Sequence, residues 1–406
     1  MRHVAFVVPY LFETSLRFLR GALTLPGTAV SVISTEPIER FDRRVRDGLA
    51  GHWQVGDALD PTQLVTACRG LSRQRGPVQR LIGVLEQLQV PLAHARAALD
   101  LPGLDVETAL NFRDKSRMKD VLRDAGVPCA RHRLVEGPDA ARAFLKEVGF
   151  PVVGKPPSGA GAVNTFRLDS SEQLEQALTT FPPRPGRPML LEEFILGEEH
   201  SFDSVCVGGE VVWHSISRYR PTPLEVLHNQ WIQWCVLLPR DIRGPEYDGI
   251  RKAGAQALRA LGLINGLSHM EWFRRKDGSV AVSEVGARPP GAQITSLLGW
   301  AHDVDMHRAW ARLMIEDVFD PPQRRWAVGA AYLRGQGKGR VQAVHGLEEA
   351  QRRWGHLVVE VKLPELGQSA ATGYEGEGFV IVRHPETAVV AEALAGIVEL
   401  IRVELR

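Results

Sequence analysis

Residues 269–291, His-Met-Glu-Trp-Phe-Arg-Arg-Lys-Asp-Gly-Ser-Val-Ala-Val-Ser-Glu-Val-Gly-Ala-Arg-Pro-Pro-Gly, decide the reading of this chain. Asp277-Gly278 is the strongest short hairpin signal in the sequence, because a two-residue type I′ turn requires positive φ at both central positions. With that dipeptide as the turn, Lys276 faces Ser279, and counting back along both strands sets Glu271 opposite Glu284. The two carboxylates then share one face, with Cβ atoms about 5 Å apart. Like charges so placed destabilise a sheet. A hard divalent cation reverses the sign, since Mg²⁺ is held by one or two carboxylates together with substrate phosphates. Arg288, a few residues on, is a candidate clamp for phosphate or carboxylate. From this stretch alone, a solvent-facing hairpin with two hydrated glutamates is the plainer alternative.

Composition narrows the setting. At 406 residues the chain is long for one core and reads as two or three domains. An apolar fraction of 44% is ordinary for a soluble globular protein. A net charge of +1 gives no reason to expect nucleic acid or an acidic surface as partner. Cys68, Cys129, Cys206 and Cys235 are scattered and form no CxxC pair. That argues against a zinc site or disulfide framework and for reduced thiols in a cytoplasmic protein. The apolar run near Met1 is too short for a signal peptide. No stretch reaches the roughly 20 apolar residues of a membrane span.

From the N-terminus, residues 3–8 form an apolar run ending at Pro9 and read as a buried parallel strand. A helical pattern to Leu23, a strand over 28–33, a short strand over 52–55, a helix capped by Asp60, a strand over 81–84 and a helix to Leu99 follow. Such alternation predicts a small parallel α/β domain. GxGxxG is absent after its first strand, which argues against dinucleotide binding there. Glu86 follows a strand end and could face a substrate cleft, although an acid at a helix N-terminus is the plainer reading.

Near residue 112 the pattern changes. Asp114 caps a helix with the apolar face Met118, Val121, Leu122 and Ala125, stopped by Gly126 and Pro128. Lys115 lies in its first turn, where a cation opposes the helix dipole, hinting at another use. A strand over 150–153 runs into Lys155 and a small-residue loop, Ser158-Gly159-Ala160-Gly161-Ala162-Val163-Asn164. GxxxxGK[ST] is absent, so this is not a Walker A loop. Its backbone N–H groups could still fold over phosphates. Lys155 ends an apolar strand, reads as the more desolvated of the two lysines, and needs an anionic partner. Ser170 opens a helix as a capping box with Gln173. A strand over 189–192 leads into Glu192-Glu193-Phe194-Ile195-Leu196-Gly197-Glu198-Glu199. Backbone groups at such a hinge could pair with a purine edge, and the acid beyond could accept from ribose hydroxyls; a turn between strands is the alternative. A hairpin turns at Gly208-Gly209.

Between residues 218 and 240, Arg218, Tyr219, Arg220, His228, Trp231 and Trp234 cluster among prolines. This fits a lid or substrate pocket and equally a loop pinned by buried tryptophans. His228, Trp231 and Trp234, with His269 and Trp272 of the hairpin, are the expected pocket walls. Helices are expected over 247–261 and, capped by Asp305, over 306–315. The remainder reads as a separate α+β module. It has strands over 328–333, 356–362, 378–383 and 400–405, helices over 347–354 and 386–396, and a flexible turn at Gly335, Gly337 and Gly339.

In order, Lys115, Lys155 with its loop, the Glu-Glu-Phe-Ile hinge, Glu199, Glu271, Glu284 and Arg288 resemble the ATP-grasp superfamily. Within it the chain is similar to carboxylate–amine ligases of the L-amino-acid ligase type, over nearly its whole length. The resemblance implies an α/β and α+β fold. A parallel α/β (pre-ATP-grasp) domain would span 1–112, an ATP-grasp core of two α+β subdomains 113–320, and a biotin-carboxylase-like C-terminal α+β module 321–406. It implies an ATP-dependent ligase that joins a small carboxylate, expected to be an amino acid, to an amine through an acyl-phosphate, releasing ADP and phosphate.

The resemblance also assigns roles. Lys115 and Lys155 would hold the α- and β-phosphates of ATP, and the loop with Ser158, Gly159 and Gly161 would close over them. Glu192, Glu193 and Ile195 would bind adenine, and Glu199 ribose. Glu271 and Glu284 would hold Mg²⁺, or Mn²⁺, and Arg288 would steady the transferred phosphoryl group. Many members carry asparagine two residues after the second metal glutamate; Gly286 stands there, leaving that place to water or substrate. Expected partners are small-molecule carboxylate and amine substrates, with neither nucleic acid nor membrane, and a second copy in a homodimer on symmetry statistics. A biotin-carboxylase-like subunit that activates bicarbonate is the alternative, weakened by a loop poorer in glycine than that of biotin carboxylases. A nucleotide-binding protein without turnover is opposed by the completeness of the set.

Overall fold

The first apolar run forms the strand Arg2–Val8, buried from His3 onward because both faces are covered. It belongs to a four-stranded parallel sheet in the order Gly51–Gln54, Thr28–Ser34, Arg2–Val8, Val78–Ile82. The structure, a computed structural model, describes residues 1–157, 165–228, 233–371, 373 and 375–406, without the side chains of residues 223, 227 and 228. Local signals decide the helix starts: Asp60, Asp114, Ser170 and Asp305 each accept a backbone N–H from the first turn that follows.

A second, antiparallel sheet has the order His132–Val135, Met189–Glu193, Val152–Lys155, Phe166–Leu168. Apolar residues of the helices Pro138–Val148 and Ser171–Thr180 pack against it. The third sheet is the largest: Val280–Gly286, Gly266–Arg275, Gly197–Val207, Glu210–Arg220, Trp234–Leu238, Ala327–Leu333, Gly378–His384, Val358–Lys362. Its last three strands come from beyond residue 320, so the C-terminal segment, α+β as expected, continues the large sheet instead of standing apart from it. One apolar cluster joins Phe6, Trp213, Trp234, Trp310 and Tyr332 across all three segments. The expected flexible turn at Gly335 is a short strand, Gly335–Gly337, paired with Arg402–Leu405. Small residues are needed there because a Cβ on Gly337 would fall 2.4 Å from Leu405 O. Among the described residues no helix is long and apolar enough to cross a membrane.

The decisive hairpin closes with a different turn from the expected one. Gly278 N–H donates to Arg275 O at 3.0 Å and Arg275 N–H to Ser279 O at 2.9 Å. Gly278 has φ 81°, whereas Asp277 is not among the residues with positive φ. This is a three-residue loop with glycine in the left-handed position, one residue out of step with a type I′ turn. A β-bulge at Ser283 then removes the offset: Trp272 faces Val282, and Glu271 faces Glu284. Gly278→Ala should lower unfolding stability by about 1 kcal/mol in urea denaturation, since a Cβ is disfavoured at that φ. An unchanged midpoint at unchanged slope would contradict this turn.

Candidate active site

The three sheets meet around a cavity of about 410 Å³. Lys115 reaches it from the first turn of the helix Lys115–Asp124. Lys115 N–H donates to Pro157 O at 2.8 Å, which ties that helix to the end of the Lys155 strand. Lys115 Nζ donates to Glu284 Oε1 at 2.8 Å, and Lys155 Nζ lies 2.9 Å from Glu192 Oε1. The expectation that Lys155 is the more desolvated does not hold: both residues are 8% exposed, because the Pro157 segment covers the helix start.

Lys119, one turn beyond Lys115, escaped the sequence reading. It is wholly buried, donates to Ser283 O at 2.9 Å and lies 3.5 Å from Glu192 Oε2. The available signal was its i,i+4 spacing from Lys115, which puts both on one helix face. Burial works to raise the Glu192 pKa, but the Lys119 and Lys155 charges hold it below the usual range. Burial likewise opposes the charge on Lys155, and Glu192, Glu284 and Glu271 together outweigh it, raising that pKa. The Glu192 carboxylate is therefore turned to two lysines, while its hinge neighbours Glu193 and Ile195 also line the cavity. Glu199 lines it too, with its pKa raised by burial and by the charge of Glu271.

Glu271 and Glu284 face each other across the hairpin and open onto the cavity. Burial works to raise the Glu284 pKa, and the Lys115 and Lys155 charges outweigh it and lower it. Lys115 thus offsets the like-charge repulsion that the sequence implied. Among the described residues no group of three or more His, Cys, Asp or Glu is arranged to hold a metal by itself. Two carboxylates beside two lysines fit a cation that completes its shell with phosphate and water, as Mg²⁺ does.

Glu86 faces the cleft, the reading the sequence ranked second. Its Oε2 accepts from Arg288 Nε at 2.7 Å, and Arg113 lies 3.9 Å from its Oε1. A Cβ at Gly286 would lie 3.3 Å from Glu86 Oε2, so the departure at 286 sits beside this ion pair. His269 lines the cavity, and its Nδ1 lies 2.6 Å from Oδ1 of the buried Asp203, another residue the sequence reading missed. Burial opposes charge on His269, but Asp203 and Glu271 together prevail and carry its pKa to about 9. Asp203 alternates with Glu199 and Ser201 along Gly197–Val207, a period-2 pattern that was legible.

Alternation also sorts the expected pocket walls. Tyr219 and Trp234 line the cavity. Trp272 does not: one step from Glu271, it points to the opposite face, wholly buried and stacked on His200 with ring centroids 4.6 Å apart. Ser158, Gly159, Gly161, Trp231 and the side chain of His228 lie outside the described residues. Trp272→Ala should cost about 3–5 kcal/mol of stability by denaturant unfolding, as large core truncations do. A near-silent substitution would return Trp272 to the cavity wall.

No family model matches the chain. Among curated proteins it is similar to the L-arginine-specific L-amino acid ligase of Bacillus subtilis, 26% identical over 260 residues that make up 62% of this chain. The match spans 62% of that relative's length. Among solved structures it resembles the L-amino acid ligase from Bacillus licheniformis, with a TM-score of 0.78, 19% identity, and coverage of 100% of this chain and 99% of that one. It also resembles the biotin carboxylase domain of Hydrogenobacter thermophilus 2-oxoglutarate carboxylase, solved with MgADP and bicarbonate. There the TM-score is 0.68 at 17% identity, with 98% of this chain and 90% of that one covered. The chain has the ATP-grasp fold shared by these ligases.

Proposed function

We propose that this chain is an ATP-dependent carboxylate–amine ligase that joins a small carboxylate, an amino acid in the first instance, to an amine. One observation carries the reading: Glu271 and Glu284 face each other in a cavity that also holds Lys115, Lys155 and Arg288. The likeness to two amino acid ligases supports it.

In this reading Lys115 and Lys155 hold the α- and β-phosphates of ATP, the hinge at Glu193–Ile195 takes the adenine edge, and Glu199 takes the ribose. Glu271 and Glu284 would hold Mg²⁺ or Mn²⁺, which when bound would neutralise charge on the phosphate oxygens. A substrate carboxylate oxygen attacks the γ-phosphorus in line, and the bond to the ADP oxygen breaks as the new O–P bond forms. Arg288, oriented by Glu86, steadies the negative charge of the resulting acyl-phosphate. The amine nitrogen then attacks the acyl carbon, loses a proton to water, and phosphate departs. The cations are fixed before reaction by carboxylate partners, so little reorganisation is needed as charge moves. Tyr219 and Trp234 give the cavity apolar walls beside His269, which favours an acid or amine with an apolar part.

The test is a phosphate-release screen of the purified chain against amino acids and other small carboxylates, singly and in pairs with amines. We expect Mg²⁺-dependent turnover with one ADP per amide. Turnover only with bicarbonate, stimulated by free biotin, would replace this reading with that of a carboxylase. Glu284→Gln should lower kcat by on the order of 100-fold or more. It should also destabilise the free protein, because Lys115 loses its carboxylate partner. Retention of most activity at saturating Mg²⁺ would remove the pair from the reaction.

A further inference from the structure

The arginines among residues 218–220, which the cavity does not absorb, lie on the other face of the large sheet. Arg218, His200 and Trp272 stand side by side on neighbouring strands, Arg218 opposite His200 and His200 opposite Trp272. Two residues along, Arg220 and Arg274 extend the same face. Their alternating neighbours Tyr219, Glu199 and Glu271 line the cavity. The Arg274 guanidinium lies 5.0 Å from the Tyr247 ring centre and 5.6 Å from that of Trp272. The Arg218 guanidinium lies 6.0 Å from Tyr247 and donates to its hydroxyl.

These cations are poorly matched. Arg218 Nε and Arg274 Nε and Nη2 are buried with no hydrogen-bond partner. His200 is 1% exposed, with both ring nitrogens in the same condition. Burial, then the charges of Arg274, Arg218 and Arg220, push the His200 pKa down to about 3, so the ring is neutral and adds no charge. Glu198 is an acid on this face; it stands opposite Arg274, is exposed, and lies 3.6 Å from Nε2 of the neutral His200 ring. Stacking on Tyr247 and Trp272 offsets part of the cost of burying guanidinium groups. Several guanidinium groups on one face, short of carboxylate partners, are what a planar or tetrahedral oxyanion recognises.

We propose that Arg218, Arg220 and Arg274 form a second binding site, on the face of the large sheet away from the cavity, for a small molecule bearing a phosphate or carboxylate group. Exposed Arg220 is its outer rim, and half-buried Arg218 and Arg274 are its floor. Each of these strands carries a cavity residue one position away, so an occupant bears directly on the strands that hold Glu199 and Glu271.

The test is calorimetric titration of the full chain with inorganic phosphate and, separately, with malonate, in saturating MgADP so that the nucleotide part of the cavity is filled. Arg220→Glu and Arg274→Met are the comparison variants; the first changes an exposed side chain and keeps the fold. We expect one of the two anions, or both, to bind the parent, and to bind each variant about tenfold more weakly or worse. MgADP affinity should be unchanged. Preference for phosphate or for malonate then assigns the phosphoryl or carboxylate class. Equal anion affinity in the parent and Arg220→Glu, or no binding of either anion to the parent, would overturn the site.

Discussion

Glu192 between Lys119 and Lys155 is the contact on which the cavity depends. Its carboxylate joins the strand Met189–Glu193 to the strand Val152–Lys155 and to the helix Lys115–Asp124. Through Lys119 and Ser283 O, the same charge group reaches the bulged strand of the hairpin. A buried carboxylate with two ammonium partners is tolerable only when the partners stay in place, and removing one leaves an uncompensated charge. Four elements are thus held in mutual position by one group that need not touch a substrate. Lys115 and Glu284 form a second, parallel link across the same gap.

Much of the fold was legible because its signals are local. Aspartate and serine caps, glycine stops and period-2 or period-3.6 patterns place most elements within a residue or two. The decisive pair was legible for a less secure reason. Asp277-Gly278 was read as a two-residue turn, the real loop holds one residue more, and the bulge at Ser283 brings Glu271 back opposite Glu284. Neither the longer loop nor the bulge has a signal in the sequence strong enough to separate them. Lys119 and Glu86 were harder, because a charged residue reads as solvent-facing until its tertiary partner is known. Trp272 was misplaced although the rule was at hand: a strand that turns Glu271 to the cavity must turn Trp272 away from it.

The large sheet works as a partition. On one side lie Glu199, Asp203, Tyr219, His269 and Glu271; on the other lie His200, Arg218, Trp272 and Arg274. The first set carries acids matched to lysines and a histidine, and the second carries arginines matched mainly to aromatic rings. Both follow from strict alternation along the strands Gly197–Val207, Glu210–Arg220 and Gly266–Arg275. The same alternation explains why adjacent residues in the run Arg218-Tyr219-Arg220 belong to different surroundings.

The span of the cavity lining along the chain has a consequence for the order of assembly. Its wall includes Glu86 near one end of the chain and Glu375 near the other. Glu375 Oε2 accepts from Gln293 Nε2 at 3.1 Å, which closes the wall late in the chain. Contacts this distant in sequence form slowly, because the intervening loop must lose its freedom before they stabilise anything. A growing polypeptide therefore carries its lysines and glutamates through much of synthesis before the full enclosure exists around them. The wall at Glu375 is the last part of the enclosure to be added, once the segment around residue 375 has emerged and docked.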